Sequence, residues 1–257
     1  MQIIPLGVSG GLEQHQGTSA FLVLPTLLID AGTGVQQLDA FALSRLRAIF
    51  ITHAHIDHIA SLPMLLDTQF ETLAEHQQSL TVYALPEVIA SLQTHIFNGA
   101  IWPDFSRLPS VDSPILRYEA LSPWQSLTLP DANGQHLEIT PFPVTHSVPT
   151  CGFFVSDGRT RVAFSGDTGL SSSTIASVNL LGPLDCLVIE CAFANYLDGL
   201  AEMSQHLTPQ RLAHLLSALE TTPKTVWITH LKPQQRTRIK QELHQLLPPT
   251  LNWTLTP

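Results

Sequence analysis

The stretch Ala48-Ile49-Phe50-Ile51-Thr52-His53-Ala54-His55-Ile56-Asp57-His58 decides how the chain is to be read. Its first four residues are apolar and partly β-branched, as in a buried strand. Three imidazoles and a carboxylate follow within six positions, and such crowding at a strand end needs a chemical reason. His53 and His55 stand two apart on an extended segment, so they project the same way and can share one ion. Asp57 and His58 turn into the next helix, toward a second position. Nitrogen and carboxylate donors of this kind suit zinc first, with manganese or iron as alternatives.

One loop cannot fill two coordination spheres, so further ligands are expected from other strand ends. His146 follows the strand-like Leu137–Val144, Asp167 lies in Phe164-Ser165-Gly166-Asp167-Thr168-Gly169 after Arg161–Phe164, and His230 closes Val226–Thr229. Each is a polar cap on an apolar run.

Around these motifs the chain reads as globular. It has 257 residues, 44% hydrophobic and 13% charged, enough for a sizeable core and unlike a disordered polymer. Strands are expected at Ile3–Val8, Phe21–Leu24, Leu27–Ile29, Ala48–Ile51, Thr81–Ala84, Leu137–Thr140, Gly152–Val155, Arg161–Phe164, Cys186–Ile189 and Val226–Thr229. Three- and four-residue apolar spacing predicts helices at Val35–Leu43, His58–Leu73, Glu87–Phe97, Ser173–Leu181, Pro209–Leu219 and Gln234–Leu246, with Thr208 as N-cap and Pro209 at the first turn of the fifth. Strands dominate both ends, which favours sheet packed on sheet with flanking helices. A single domain over 1–257 is expected, with an aperiodic, proline-rich insertion or lid at about 98–130.

The net charge of −9 opposes a long phosphate backbone as partner, and the basic cluster Lys232, Arg236, Arg238 and Lys240 reads as one exposed helix face. A small anion held by cations escapes that objection. Three cysteines, Cys151, Cys186 and Cys191, without paired spacing argue against a disulfide framework. With no signal-peptide pattern at Met1–Val8 and no run of membrane-spanning length, a cytoplasmic protein is expected.

The order of motifs resembles the metallo-β-lactamase superfamily, whose HxHxDH signature is present as His53-Ala54-His55-Ile56-Asp57-His58. Asp30-Ala31-Gly32-Thr33-Gly34, His146, Ser165-Gly166-Asp167-Thr168 and His230 extend the resemblance over most of the chain. It implies an α/β fold (α+β in some schemes), a four-layer αββα sandwich. It also implies two divalent metals: His53, His55 and His146 on one, Asp57, His58 and His230 on the other, Asp167 bridging, and Asp30 holding the ligand loop. Within the superfamily, Leu92–Asp104, Leu187–Phe193, His206-Leu207-Thr208-Pro209, Ile228–Pro233 and Leu6–Gly11 resemble class II cyclic-nucleotide phosphodiesterases. Gln205 stands where that family leads one to expect glycine.

The activity this resemblance implies is hydrolysis of a 3′,5′-cyclic nucleotide, cAMP or cGMP, to the 5′-nucleotide, with two divalent ions as cofactors and Asp57 and His206 essential to catalysis. Departure of the 3′ oxygen would be assisted by a proton from His206, just before a helix start, or by metal contact, and the helix start could hold phosphate. Phe97, Trp102 and Phe105 are candidates for stacking on a purine. The expected partner is the small nucleotide, with no nucleic acid and no membrane, and a homodimer would be unsurprising. Two rival readings remain. Thr145–Thr150 and Asp30–Gln36 also resemble transfer-RNA 3′-processing endonucleases, and a non-catalytic metal-binding protein would keep the same ligands.

Overall fold

The computed structural model describes residues 1–23, 26–130 and 136–256. The chain forms two compact units: Gln2–Gly7 with His15–Ser122, and Val8–Gln14 with the chain from Pro123 onward.

The first unit carries a seven-stranded sheet, built from β1 (Ile3–Ser9, whose last two residues, Val8 and Ser9, belong to the second unit), β2 (Gly17–Thr18), β3 (Ala20–Val23), β4 (Leu27–Ile29), β5 (Ala48–Phe50), β6 (Leu80–Ala84) and β7 (Leu116–Ala120). The strands lie in the order β2-β1-β3-β4-β5-β6-β7. β1, β3 and β4 pair antiparallel, whereas β4, β5, β6 and β7 run parallel. β3, β4 and β5 are buried throughout and read in the sequence as unbroken apolar runs, as strands covered on both faces must. Leu24, the last residue of the expected strand Phe21–Leu24, lies outside the described residues.

Two expected helices of this unit are each divided. In place of Val35–Leu43 there is a 3₁₀ turn at Thr33–Gln37 and then α1 (Ala40–Arg45), because the Asp39 carboxylate accepts the Ala42 N–H at 2.7 Å and starts a new helix. His58–Leu73 is divided into α2 (Ile56–Ile59) and α3 (Leu62–Glu75). Pro63 explains the break, since proline fits the first turn of a helix but not its interior. α4 (Pro86–His95) likewise begins on a proline.

The second unit repeats the plan. β8 (Leu127–Pro130), β9 (His136–Pro143), β10 (Cys151–Ser156), β11 (Arg161–Phe164), β12 (Cys186–Glu190), β13 (Thr225–Thr229) and β14 (Trp253–Leu255) form a sheet in the order β14-β13-β12-β11-β10-β9-β8. β8 to β11 are antiparallel and β11 to β14 parallel. The helices are α5 (Ser172–Leu180), α6 (Asp198–Ser204), α7 (Pro209–Ser217) and α8 (Arg236–Leu246). α7 starts as expected, with the Thr208 hydroxyl accepting the Arg211 N–H and Pro209 in the first turn. It buries Leu212, Leu215 and Leu216 in a core with Leu187, Ile189, Val226, Ile228, Ile239 and Leu243.

Four strands, β2, β7, β8 and β14, were not expected, and all of them are sheet edges. β7 and β8 fall within 98–130, where exposed Arg117 and Glu119 broke the apolar pattern. α6 was also missed. Cys151, Cys186 and Cys191 are thiols, and burial pushes that of Cys186 up to about 12 and that of Cys191 well above its ordinary value. Among the described residues no helix is long and apolar enough to cross a membrane.

Candidate metal centre

Polar residues gather at the carboxyl ends of the parallel strands in both units, the edge of an open α/β sheet where strand ends leave backbone and side chains available to a ligand. In the first unit β4 ends at Asp30 and β5 runs into Thr52 and His53. Asp30 is buried in left-handed backbone (φ 60°). One carboxylate oxygen accepts the Thr52 N–H at 2.8 Å and the Thr52 hydroxyl at 3.0 Å. The other lies 2.7 Å from His58 Nδ1 and 3.3 Å from the Ser19 hydroxyl. Asp30 therefore holds the histidine-rich loop at both ends, at Thr52 and at His58. It also fixes a tautomer: with Nδ1 of His58 committed to a carboxylate, Nε2 carries the lone pair.

Backbone contacts press the same loop into place. The Ala31 N–H donates to the His58 carbonyl at 2.7 Å, and a side chain at Gly32 would overlap the Asp57 carbonyl. His53 and His58 are buried, with ring centroids 4.1 Å apart, and the His55 ring lies 4.6 Å from that of His53. His55 is the N-cap residue of α2 but does not use its ring as the cap. The loop thus brings His53, His55, Asp57 and His58 together in the first unit.

The second unit brings together His146, Asp167, His206 and His230. Asp167 follows β11 and is buried, with its carboxylate 3.3 Å from His230 Nδ1 and 3.9 Å from His146 Nε2. His146 directs Nδ1 at the Gln205 carbonyl (3.0 Å), which leaves Nε2 as its donor atom. His230, after β13, is left-handed (φ 61°) like Asp30. Asp167, His206 and His230 each offer a donor atom within 4.8 Å of the others. Imidazole nitrogens gathered around a buried carboxylate fit a divalent cation.

The residue that sequence reasoning left without a role is Glu190, the last of β12. Its buried carboxylate accepts four hydrogen bonds: from Thr168 N–H (2.9 Å) and His206 Nδ1 (2.6 Å) on one oxygen, and from Ala192 N–H (3.1 Å) and Leu207 N–H (3.0 Å) on the other. A carboxylate closing the apolar run Cys186–Ile189 was the available signal. Burial works to lower the pKa of His206, yet the Glu190 carboxylate, with Asp167 beyond, outweighs it and holds the imidazole above its ordinary value.

Two sequence expectations are corrected. The N–H groups that would receive a phosphate in the first turn of α7 are already bonded within the protein: Leu207 N–H is on Glu190, Gln210 N–H on the Asn195 side chain and Arg211 N–H on Thr208. Phe97 and Phe105 are each only 2% exposed and pack with Phe70 as a core cluster, so neither ring can stack on a purine.

Residues 26–231, most of the chain, match the family model described as the beta-lactamase superfamily domain. The chain belongs to the β-lactamase superfamily. Its α/β metallo-β-lactamase fold is shown by likeness to the metallo-β-lactamase fold protein YhfI from Bacillus subtilis, with TM-score 0.75 and 20% identity over 99% of this chain and 96% of that one. Among curated relatives, the cAMP/cGMP-dependent 3′,5′-cAMP/cGMP phosphodiesterase A of Dictyostelium discoideum is 23% identical, covering 89% of this chain and 70% of its own. A ribonuclease Z of Metallosphaera sedula is 27% identical over 62% of this chain, which spans 50% of that relative's length. Superfamily membership and the His/Asp cluster make the protein a metallo-hydrolase.

Proposed function

We propose that this metallo-hydrolase is a two-metal phosphodiesterase that converts 3′,5′-cyclic nucleotides to 5′-nucleotides, working as one hydrolase domain. The observation that carries the reading is the similarity to a cyclic-nucleotide phosphodiesterase along 89% of the chain. In this proposal His53, His55 and His146 hold one ion, Asp57, His58 and His230 the other, and Asp167 both. Zinc is the first candidate for this donor set, with manganese or iron as alternatives. Two such cations, when bound, lower the pKa of water and neutralise charge on phosphate oxygens.

The chain's own residues supply the rest. Asp30 keeps His58 in the tautomer that presents Nε2, and the Gln205 carbonyl does the same for His146. His206 has Nδ1 against Glu190, so Nε2 is the atom from which a proton reaches the 3′ oxygen as the P–O3′ bond breaks. The water oxygen takes that place on phosphorus, keeping one proton and releasing the other, which replaces the one His206 gave, and the products are a 5′-monophosphate and a free 3′ hydroxyl.

The test is release of 5′-AMP from cAMP by the purified protein with zinc or manganese, against a chelator control. Metal-dependent release, lost in Asp167→Ala, is the expected result. No turnover of cAMP by metal-replete protein that still cleaves bis-p-nitrophenyl phosphate would overturn it and favour an RNA substrate. Support for that second reading comes from the ribonuclease Z relative. Against it stands the net charge of −9, which disfavours a folded RNA. Salt-sensitive binding of a precursor transfer RNA would decide for it.

A further inference from the structure

His230 takes up a left-handed backbone (φ 61°) that a non-glycine residue reaches only at a cost, so something must hold it there. The end of β1 does. The His230 N–H donates to the Val8 carbonyl at 2.7 Å, and the Gly10 N–H donates to the Leu231 carbonyl at 3.1 Å. Ser9 and Leu231 form an isolated parallel bridge between these bonds. Gly10 lies flat on the turn: a Cβ there would overlap the His230 carbonyl oxygen and come within 3.0 Å of the imidazole Cδ2.

The contact is secured from outside. The Lys232 ammonium donates to the Gly10 carbonyl at 2.7 Å. Glu13 accepts from the Ser9 hydroxyl and pairs with the Arg236 guanidinium, each at 3.3 Å. The neighbouring Gly11 is under no such constraint, since a Cβ there would meet Pro233 at an ordinary 3.4 Å.

We propose that Val8-Ser9-Gly10 is a positioning element for His230: it imposes the left-handed turn that aims the imidazole and so sets the affinity of one of the two metal positions. The proposal rests on His230 being a ligand. It assigns Gly10 a role through space rather than through its own dihedral freedom, since the required feature is the absence of a Cβ above the His230 carbonyl.

Cobalt(II) titration of the metal-free wild type, Gly10→Ala and Gly11→Ala proteins tests this, followed by the visible cobalt spectrum and by chelator competition, with melting temperatures recorded before metal is added. Wild type and Gly11→Ala should bind two ions alike. Gly10→Ala should bind one of the two about 10- to 100-fold more weakly, the range for losing a group that orients a ligand, and show an altered spectrum for that ion alone. A Gly10→Ala protein that is folded and binds both ions as wild type does would overturn the inference while leaving His230 a ligand. A wild type that binds no cobalt would overturn both. Should Gly10→Ala not fold, Lys232→Met decides: it removes the bond to the Gly10 carbonyl, and weaker binding of the same single ion supports the inference, whereas unchanged binding of both ions overturns it.

Discussion

At Gln205 the backbone turns left-handed (φ 54°, ψ 54°) to end α6, and the turn points its carbonyl at His146. An L side chain in that conformation costs about 1 kcal/mol relative to glycine. Gln205→Gly should therefore raise stability by roughly 1 kcal/mol while metal content stays the same, read as a higher urea midpoint at unchanged slope. A lower midpoint would mean that the side-chain bond to the Glu202 carbonyl outweighs the strain. The glycine expected by family resemblance marked this turn in the sequence, but the reason, left-handed geometry, became visible only in the structure. Asp30 and His230 share the geometry without any such mark, because nothing about an aspartate or a histidine announces a positive φ. Glu190 is the opposite case of a residue that fits its place well. Glu190→Gln replaces an acceptor facing buried N–H donors with an NH₂ group, and leaving such donors unmet costs about 1–3 kcal/mol each. We expect a large loss of stability, accompanied by a His206 imidazole that titrates lower than in the wild type, followed by its NMR chemical shift.

The elements most legible from sequence were those buried on both sides. β3, β4, β5 and β12 are near-continuous apolar runs, so their positions followed from composition alone. β7 and β14 are edges with polar residues between apolar ones, and the signal faded with the burial. α5 was placed to within one residue, yet what it does could not be read. Its Thr174, fully buried, accepts the Thr145 N–H at 3.1 Å and has its hydroxyl 3.2 Å from that of Thr168 and 3.0 Å from that of Ser171. Thr145 precedes His146 and Thr168 follows Asp167, so one side chain of the helix ties down the loops that carry both. Thr174→Val keeps the shape and removes the hydroxyl. It should cost about 1–3 kcal/mol in a denaturant melt, with Thr174→Ser losing much less. Equal losses in the two variants would assign the role to the methyl group instead.

Across the whole molecule the fold class was legible because the motifs from Asp30 to His230 together resemble a known superfamily, and the fold is what that resemblance implies. The common plan of the two sheets, antiparallel strands followed by parallel ones, was not, since strand direction leaves no trace in composition. If the ligand set is as proposed, metal and folding are linked. At a free metal concentration about 100 times its dissociation constant the stabilisation is about 2.7 kcal/mol, which for a chain of this size corresponds to about 5 to 10 °C in melting temperature. Chelator-treated protein should melt lower by that order and recover on adding zinc or manganese; identical melting curves would show that no metal is bound. The four-bonded carboxylate of Glu190 carries one more consequence, in the time domain. Thr168, Ala192 and Leu207 lie on separate loops, yet their amides share one acceptor group. None can meet solvent deuterium until that carboxylate lets go, so the three should exchange at rates set by a common opening event, a slow local clock at the heart of the second sheet's ligand edge.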